Sequence, residues 1–200
     1  MTVIAAMALP LPNRVIMGCD TATDHGGTFV YSKRGKIGVH QASNGERVLI
    51  GSAGNASAGR MLDRCLTIEA TPEDPDDIDA ADRWAGALAE AITGILADAN
   101  PPLTVSHSDN ASGIDADVLV AWRHHVWLLF AHAAIRPTGG IVAIGSGRDI
   151  ALGSLYTAAR SVTNPKGMMA DAIELACKFD RGCSVDERGP IVISTVDDDA

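Results

Sequence analysis

The sequence predicts an α+β fold: a four-layer αββα sandwich, with two antiparallel sheets face to face and helices on both outer surfaces. Three observations predict it. The elements read in the order strands, two helices, strands, two helices, strand, which suits such layers. Alternating β-α units would be the rival architecture, yet only the stretch from Ile141 onward resembles one. The length of 200 residues and a hydrophobic content of 46% suit a single compact domain whose core can hold two sheets and their covering helices. One domain is therefore expected over residues 1–200, with an acidic, flexible tail from about residue 196.

At the start of the chain Thr2 to Leu9 and Arg14 to Cys19 read as strands, separated by Pro10 and Pro12, whose missing N–H groups block continued pairing. Thr28 to Ser32 and Lys36 to His40 are expected to pair around Lys33-Arg34-Gly35, and Arg47 to Ser52 forms a fifth strand. A helix is expected from about Ala56 to Ile68, with Met61, Leu62, Cys65 and Leu66 on one buried face and Pro72 and Pro75 ending it. The next spans Ala80 to Ala99 behind an Asp79 cap, with Trp84, Leu88, Ala91, Ile92 and Ile95 along its apolar stripe and Asn100-Pro101-Pro102 stopping it. Ser106 to Gly113 is polar and reads as a loop. Val118 to Trp122 and Val126 to Ala131 are strands flanking Arg123-His124-His125, a hairpin tip whose histidines are expected in solvent, pointing oppositely and unable to chelate together. Ile141 to Gly145 is a further strand, Arg148 to Ser161 and Lys166 to about Asp180 are helices, and Pro190 to Ser194 is the last strand.

The net charge of −9 and the lack of a basic stripe exclude nucleic acid as a partner, because phosphate binding needs clustered lysine and arginine. The acidic runs at Glu73 to Asp79 and Asp197 to Asp199 read as a solvated loop and a frayed terminus. No segment reaches the roughly 20 apolar residues of a membrane helix. Thr2 to Leu9 is broken at Pro10 and lacks the basic start of a secretory signal, so a cytoplasmic protein is expected. Cys19, Cys65, Cys177 and Cys183 have no metal-ligand spacing and are expected as reduced thiols, so no metal or other cofactor is expected. Gly145-Ser146-Gly147 begins like a dinucleotide turn but lacks the third small residue, and Ile144 and Arg148 rule out an esterase elbow around Ser146.

Thr2 carries a complete catalytic idea. Removal of Met1 would leave its hydroxyl and a free α-amine on one residue, a nucleophile with its own base. An unperturbed α-amine, with a pKa of about 7.7–8, is partly free at neutral pH and suits that task.

The chain continues with Val15-Ile16-Met17-Gly18-Cys19-Asp20, Gly35-Lys36-Ile37, Gly51-Ser52-Ala53-Gly54 and, much later, Ala143-Ile144-Gly145-Ser146-Gly147. In that order these segments resemble the proteasome β-subunit and HslV family of N-terminal-nucleophile (Ntn) hydrolases, over nearly the whole chain. The spacing of Asp20 and Lys36 carries most of the resemblance, because it matches the family's buried aspartate and catalytic lysine. The resemblance implies that Lys36 lowers the proton affinity of the Thr2 amine and stabilises the developing alkoxide, with Asp20 as counter-ion, since an isolated buried ammonium is too costly. It further implies that Gly54 offers its N–H to the oxyanion, that Ser146 hydrogen-bonds the amine, and that Asp180 supports it. Ser146 reads equally as a helix cap and Asp180 as a helix-end carboxylate. Cys183 stands where the family usually has a serine, and Thr23 matches a residue that pairs with substrate backbone, although many members carry that threonine one position later.

The resemblance implies a threonine-type peptidase acting on polypeptide through an acyl-enzyme on Thr2, assembled as a ring or other closed homo-oligomer. It also implies an ATP-dependent unfoldase as a separate partner, since no ATP-binding loop occurs here. Two alternatives stay open: an inactive scaffold or assembly protein on the same fold, and an amidase of small molecules using the same nucleophile.

Overall fold

The computed structural model describes residues 2–9, 11–25, 27–106, 112–159 and 164–196. Five expectations fall wholly or partly outside these: the removal of Met1, the Pro10 corner, the centre of the 106–113 loop, the end of the helix drawn to Ser161, and the Asp197–Asp199 tail.

The chain opens with β1 (Val3–Leu9), β2 (Arg14–Cys19), β3 (Ala22–His25), β4 (Thr28–Tyr31), β5 (Ile37–Gln41) and β6 (Arg47–Gly54). Helices α1 (Ala56–Cys65) and α2 (Ile78–Ala97) follow, then β7 (Thr104–Ser106), β8 (Ser112–Ile114), β9 (Ala116–Trp122), β10 (His125–Phe130), β11 (Ala133–Ile135) and β12 (Ile141–Gly145). Helices α3 (Arg148–Ala158) and α4 (Pro165–Phe179) precede the last strand, β13 (Ile191–Ser194).

Two antiparallel sheets form the centre, with strand orders β12-β1-β2-β13 and β11-β10-β9-β6-β5. Alternation along β1 explains why the whole run is apolar: successive side chains leave opposite faces, and both faces are buried. Val3, Ala5 and Met7 pack with Met169, Ile173 and Ala176 of α4, whereas Ile4 and Ala6 pack with Leu49, Leu119 and Ala121 of the other sheet. A third cluster joins Val48, Ile50 and Val120 to Leu62 of α1 and Leu88 and Ile92 of α2. Three apolar layers thus separate four layers of structure, which is the αββα sandwich expected from the order of elements.

Several local expectations are corrected. Thr28 to Tyr31 pairs with Ala22–His25, not with the strand after Lys36, and that strand pairs with β6. The helix from Ala56 ends at Cys65, because the chain then turns back to bridge Ile68 with Ala42. Its buried residues are Ala58 and Leu62, while Cys65 is exposed. On α2 the cap is Asp77, which accepts from the Ala80 N–H at 2.9 Å, and Ala91 lies in solvent. The polar 106–113 segment is bordered by a short hairpin, β7 with β8, and an edge strand at β11 was not expected at all.

The histidine pair departs most from expectation. Arg123 turns at φ 51°, and the His124 and His125 rings come to 3.9 Å between centroids instead of diverging. His125 is 2% exposed: its Nε2 meets the Pro75 carbonyl at 2.5 Å, and Arg136 donates to its Nδ1. This fixes the neutral tautomer with the proton on Nε2. Arg136 also grips Asp82 at 2.7 Å, and Asp82 accepts from the Trp127 indole N–H. Burial pushes the His125 pKa down to about 4; His124 and Arg136 act the same way, and the Pro75 carbonyl and Asp82 oppose them. A group whose folded pKa lies below its unfolded value of roughly 6.5 contributes stability above that value and loses it as pH falls. Urea midpoints are therefore expected to drop between pH 6.5 and about 4, and His125→Gln to flatten that drop.

Candidate active site

Thr2 immediately precedes β1, and Asp20 immediately follows β2. The antiparallel pairing of Ile4 with Cys19 brings these two ends together. Asp20 is wholly buried and accepts from the Val3 N–H at 3.0 Å and the Ser184 N–H at 3.3 Å. Lys36, just ahead of β5, reaches the same carboxylate: its Nζ donates to Asp20 Oδ1 at 2.7 Å and to Thr2 Oγ1 at 2.7 Å. The lysine side chain is 11% exposed and the aspartate 0%, so this is a shielded ion pair with the threonine hydroxyl as a further ligand. Burial raises the Asp20 pKa above the ordinary carboxylate range, and Lys36 with the two backbone N–H groups pulls the other way.

Beneath Lys36 its own N–H donates to Cys19 Sγ at 3.4 Å, and Gly35 turns the chain at φ 62°. Burial pushes the Cys19 thiol up to about 12, so it is neutral packing under the lysine.

Ser146 faces the other side of Thr2. The Thr2 nitrogen donates to Ser146 Oγ at 3.3 Å; in the chain as written that nitrogen is a peptide N–H, standing where a free amine would stand after loss of Met1. The reading of Ser146 as a helix cap is corrected, because Gly147 holds the α3 N-cap position without a side-chain bond. Cys183 lies 3.7 Å from Ser146 Oγ, and its thiol donates to Asp180 Oδ2 at 3.4 Å. Asp180 is the C-cap of α4 and also accepts from the Gly182 N–H at 2.9 Å. Burial opposes its ionisation, but hydrogen bonds from Ser146, Gly182 and Cys183 hold its carboxyl below the ordinary range. Asp180 thus reaches Thr2 through Ser146 and Cys183.

Gly54 ends β6 at φ 114° and, with Thr2, lines two cavities. One, of about 520 Å³, also includes Thr23, Lys36 and residues of β5 and α1. The other, of about 550 Å³, includes Ser146, Asp115 and Asp149. Thr23 stands on β3 opposite Val30 and touches the site only as part of the first wall. Among the described residues no group of His, Cys, Asp and Glu side chains could hold a metal ion.

Sequence reasoning missed the Ser184 N–H on Asp20 and the role of Gly145. A backbone donor leaves no side-chain signal. Gly145 has φ 87°, and a Cβ there would come 2.2 Å from the Thr2 carbonyl oxygen. Gly145→Ala is therefore expected to cost roughly 1–3 kcal/mol from backbone conformation alone, measurable by urea unfolding, and to displace Thr2 as well.

No family model matches the chain, and no curated protein matches it in sequence. Solved structures do match in fold. BPH of Thiobacillus denitrificans, in complex with Epoxomicin, aligns with a TM-score of 0.71 at 19% identity, covering 96% of this chain and 97% of that one. HslV from Trypanosoma brucei aligns with a TM-score of 0.60 at 18% identity over 96% of this chain and 98% of that one. Anbu (ancestral beta-subunit) from Yersinia bercovieri aligns with a TM-score of 0.61 at 15% identity, covering 96% and 81%. The chain has the fold of the HslV/proteasome-like Ntn hydrolases.

Proposed function

We propose that this chain is a threonine-type peptidase and that Thr2, Lys36 and Asp20 are its catalytic centre. The observation that carries the reading is the position of Lys36 Nζ, 2.7 Å from both Thr2 Oγ1 and Asp20 Oδ1 in a shielded site. Cleavage of the Met1–Thr2 bond frees the amine. That amine takes the proton of Oγ1 as the oxygen attacks the substrate carbonyl, and Lys36 stabilises the alkoxide character that develops. Gly54 N–H supports the tetrahedral oxyanion. Collapse passes the proton to the leaving amide nitrogen and leaves an ester on Thr2. Water then attacks that ester with the amine again as base. Ser146 holds the amine in place, with Asp180 and Cys183 behind it, and Thr23 pairs with the backbone of the bound peptide.

The polypeptide substrate, a closed homo-oligomer of this one domain, a cytoplasmic setting and a separate unfoldase belong to the same reading. Light scattering at micromolar concentration is expected to give a mass several times the 20.8 kDa of the chain; a monomer would remove the assembly but not the chemistry. No helix of the described residues is long and apolar enough to cross a membrane. The deciding experiment compares hydrolysis of blocked peptides with that of small amides. Peptide turnover supports the peptidase, turnover of small amides alone supports the amidase, and neither, with Met1 gone, supports the scaffold.

A further inference from the structure

The larger question left by the site is which side chain sits beside the bond that is cut. The cleft next to Thr2 runs between β5 and α1, and its depth is polar in an unusual way. Gly38 and His40 lie on one face of β5, two residues apart, and Asp63 descends from α1 onto the same place. A Cβ at Gly38 would be 2.6 Å from both His40 Nε2 and Asp63 Oδ1, so only glycine lets the two polar groups converge over the strand. The His40 side chain is 10% exposed, and its Nε2 has no hydrogen-bond partner among the described residues. Asp63 Oδ1 stands 3.7 Å away, beyond hydrogen-bond reach. Ile50 and Leu62 supply apolar wall beside them. A buried polar atom without a partner costs free energy that a correctly built ligand recovers.

Charge decides what that ligand is. Arg34, Lys36 and Arg60 line the same cleft, and so do Asp24 and Asp63, so groups of both signs face it and a side chain with a net charge of either sign meets a like charge there. Arg60 already faces Asp63 Oδ2 at 3.5 Å and donates to Ser32 Oγ at 3.0 Å, leaving Oδ1 toward the imidazole. An uncharged group that donates to Asp63 and can either accept from or donate to Nε2 fits whichever tautomer His40 holds. A carboxamide does both.

We propose that this cleft selects, on the acyl side of the bond that is cut, a carboxamide side chain such as glutamine or asparagine over an aliphatic one, with His40 and Asp63 as the specificity-determining pair. This specificity rests on the peptidase reading, but the pocket itself can be tested without catalysis. Burial, partly opposed by Asp63, lowers the His40 pKa below its ordinary value, so the ring is neutral at pH 7.

The test has two arms. In the Thr2→Ala variant, N-acetyl-glutamine methylamide is expected to shift the His40 ring resonances saturably, with N-acetyl-leucine methylamide at least five-fold weaker and Asp63→Ala erasing the difference. In the wild type, electrophilic peptides ending in a glutamine analogue are expected to label Thr2 at least ten-fold faster than their leucine counterparts, with lysine and glutamate analogues slower than glutamine. Equal or tighter binding of the leucine compound, or no movement of the His40 signals by any compound, overturns the specificity. Failure of every peptide to label while glutamine still shifts His40 overturns the peptidase reading and leaves the pocket standing.

Discussion

Thr2→Ala is expected to reduce covalent labelling by an electrophilic peptide to background, with the fold intact. The side chain removed carries the hydroxyl that receives Lys36 Nζ at 2.7 Å, beside the same lysine's bond to Asp20. Thr2→Ser is the informative control. It keeps an oxygen on the residue that bears the amine and is expected to retain part of the rate, since the nucleophile and its base are both still present. Lys36→Ala is expected to remove nearly all labelling for a different reason: the hydroxyl survives, but the charge that tunes the amine and the alkoxide does not. Time-resolved mass spectrometry of the labelled chain distinguishes these three.

The second large effect is expected from Asp20→Asn. The carboxylate is wholly buried and accepts hydrogen bonds from Lys36, Val3 and Ser184. Replacing it leaves a buried ammonium without its counter-ion and turns one acceptor oxygen into a donor facing other donors. Breaking a buried pair in this way costs about 3–5 kcal/mol, read as a lower urea midpoint. The double variant Asp20→Asn with Lys36→Met removes both charges and is expected to recover much of that stability while staying inert toward the peptide. A double variant no more stable than Asp20→Asn alone would show that the loss comes from the Val3 and Ser184 contacts instead.

The layers of the fold were legible because burial on both faces leaves a plain mark. Val3 to Leu9 and Val15 to Cys19 are apolar throughout, and this is what a strand packed between helices and a second sheet requires. Pairing was less legible. Lys33-Arg34-Gly35 looks like a hairpin turn, yet it is a connection between β4 and β5, and the short, polar Ala22–His25 strand gives almost no signal of its own. The burial of His125 leaves little mark near it in the sequence, because the two groups that hydrogen-bond its ring come from outside the hairpin: Pro75 lies 50 residues before it and Arg136 lies 11 after.

For the candidate site, the separation of Asp20 and Lys36 pointed to residues that the antiparallel pairing of β1 with β2 and the placement of β5 bring onto Thr2. Ser146 could be read as a cap or as a partner of Thr2, and only the backbone of Gly147 decides which. Nothing in the spacing of His40 and Asp63 announces that they meet over Gly38, since that depends on how α1 lies on β5.

The central claim is that Thr2, once free at its amine, is the nucleophile. Intact-mass measurement of the purified chain before and after incubation with an electrophilic peptide tests it most directly. The expected result is a starting mass lacking Met1 and a single adduct that peptide mapping places on Thr2. A chain that keeps Met1, or one that has lost it and takes up no adduct at Thr2, would contradict it.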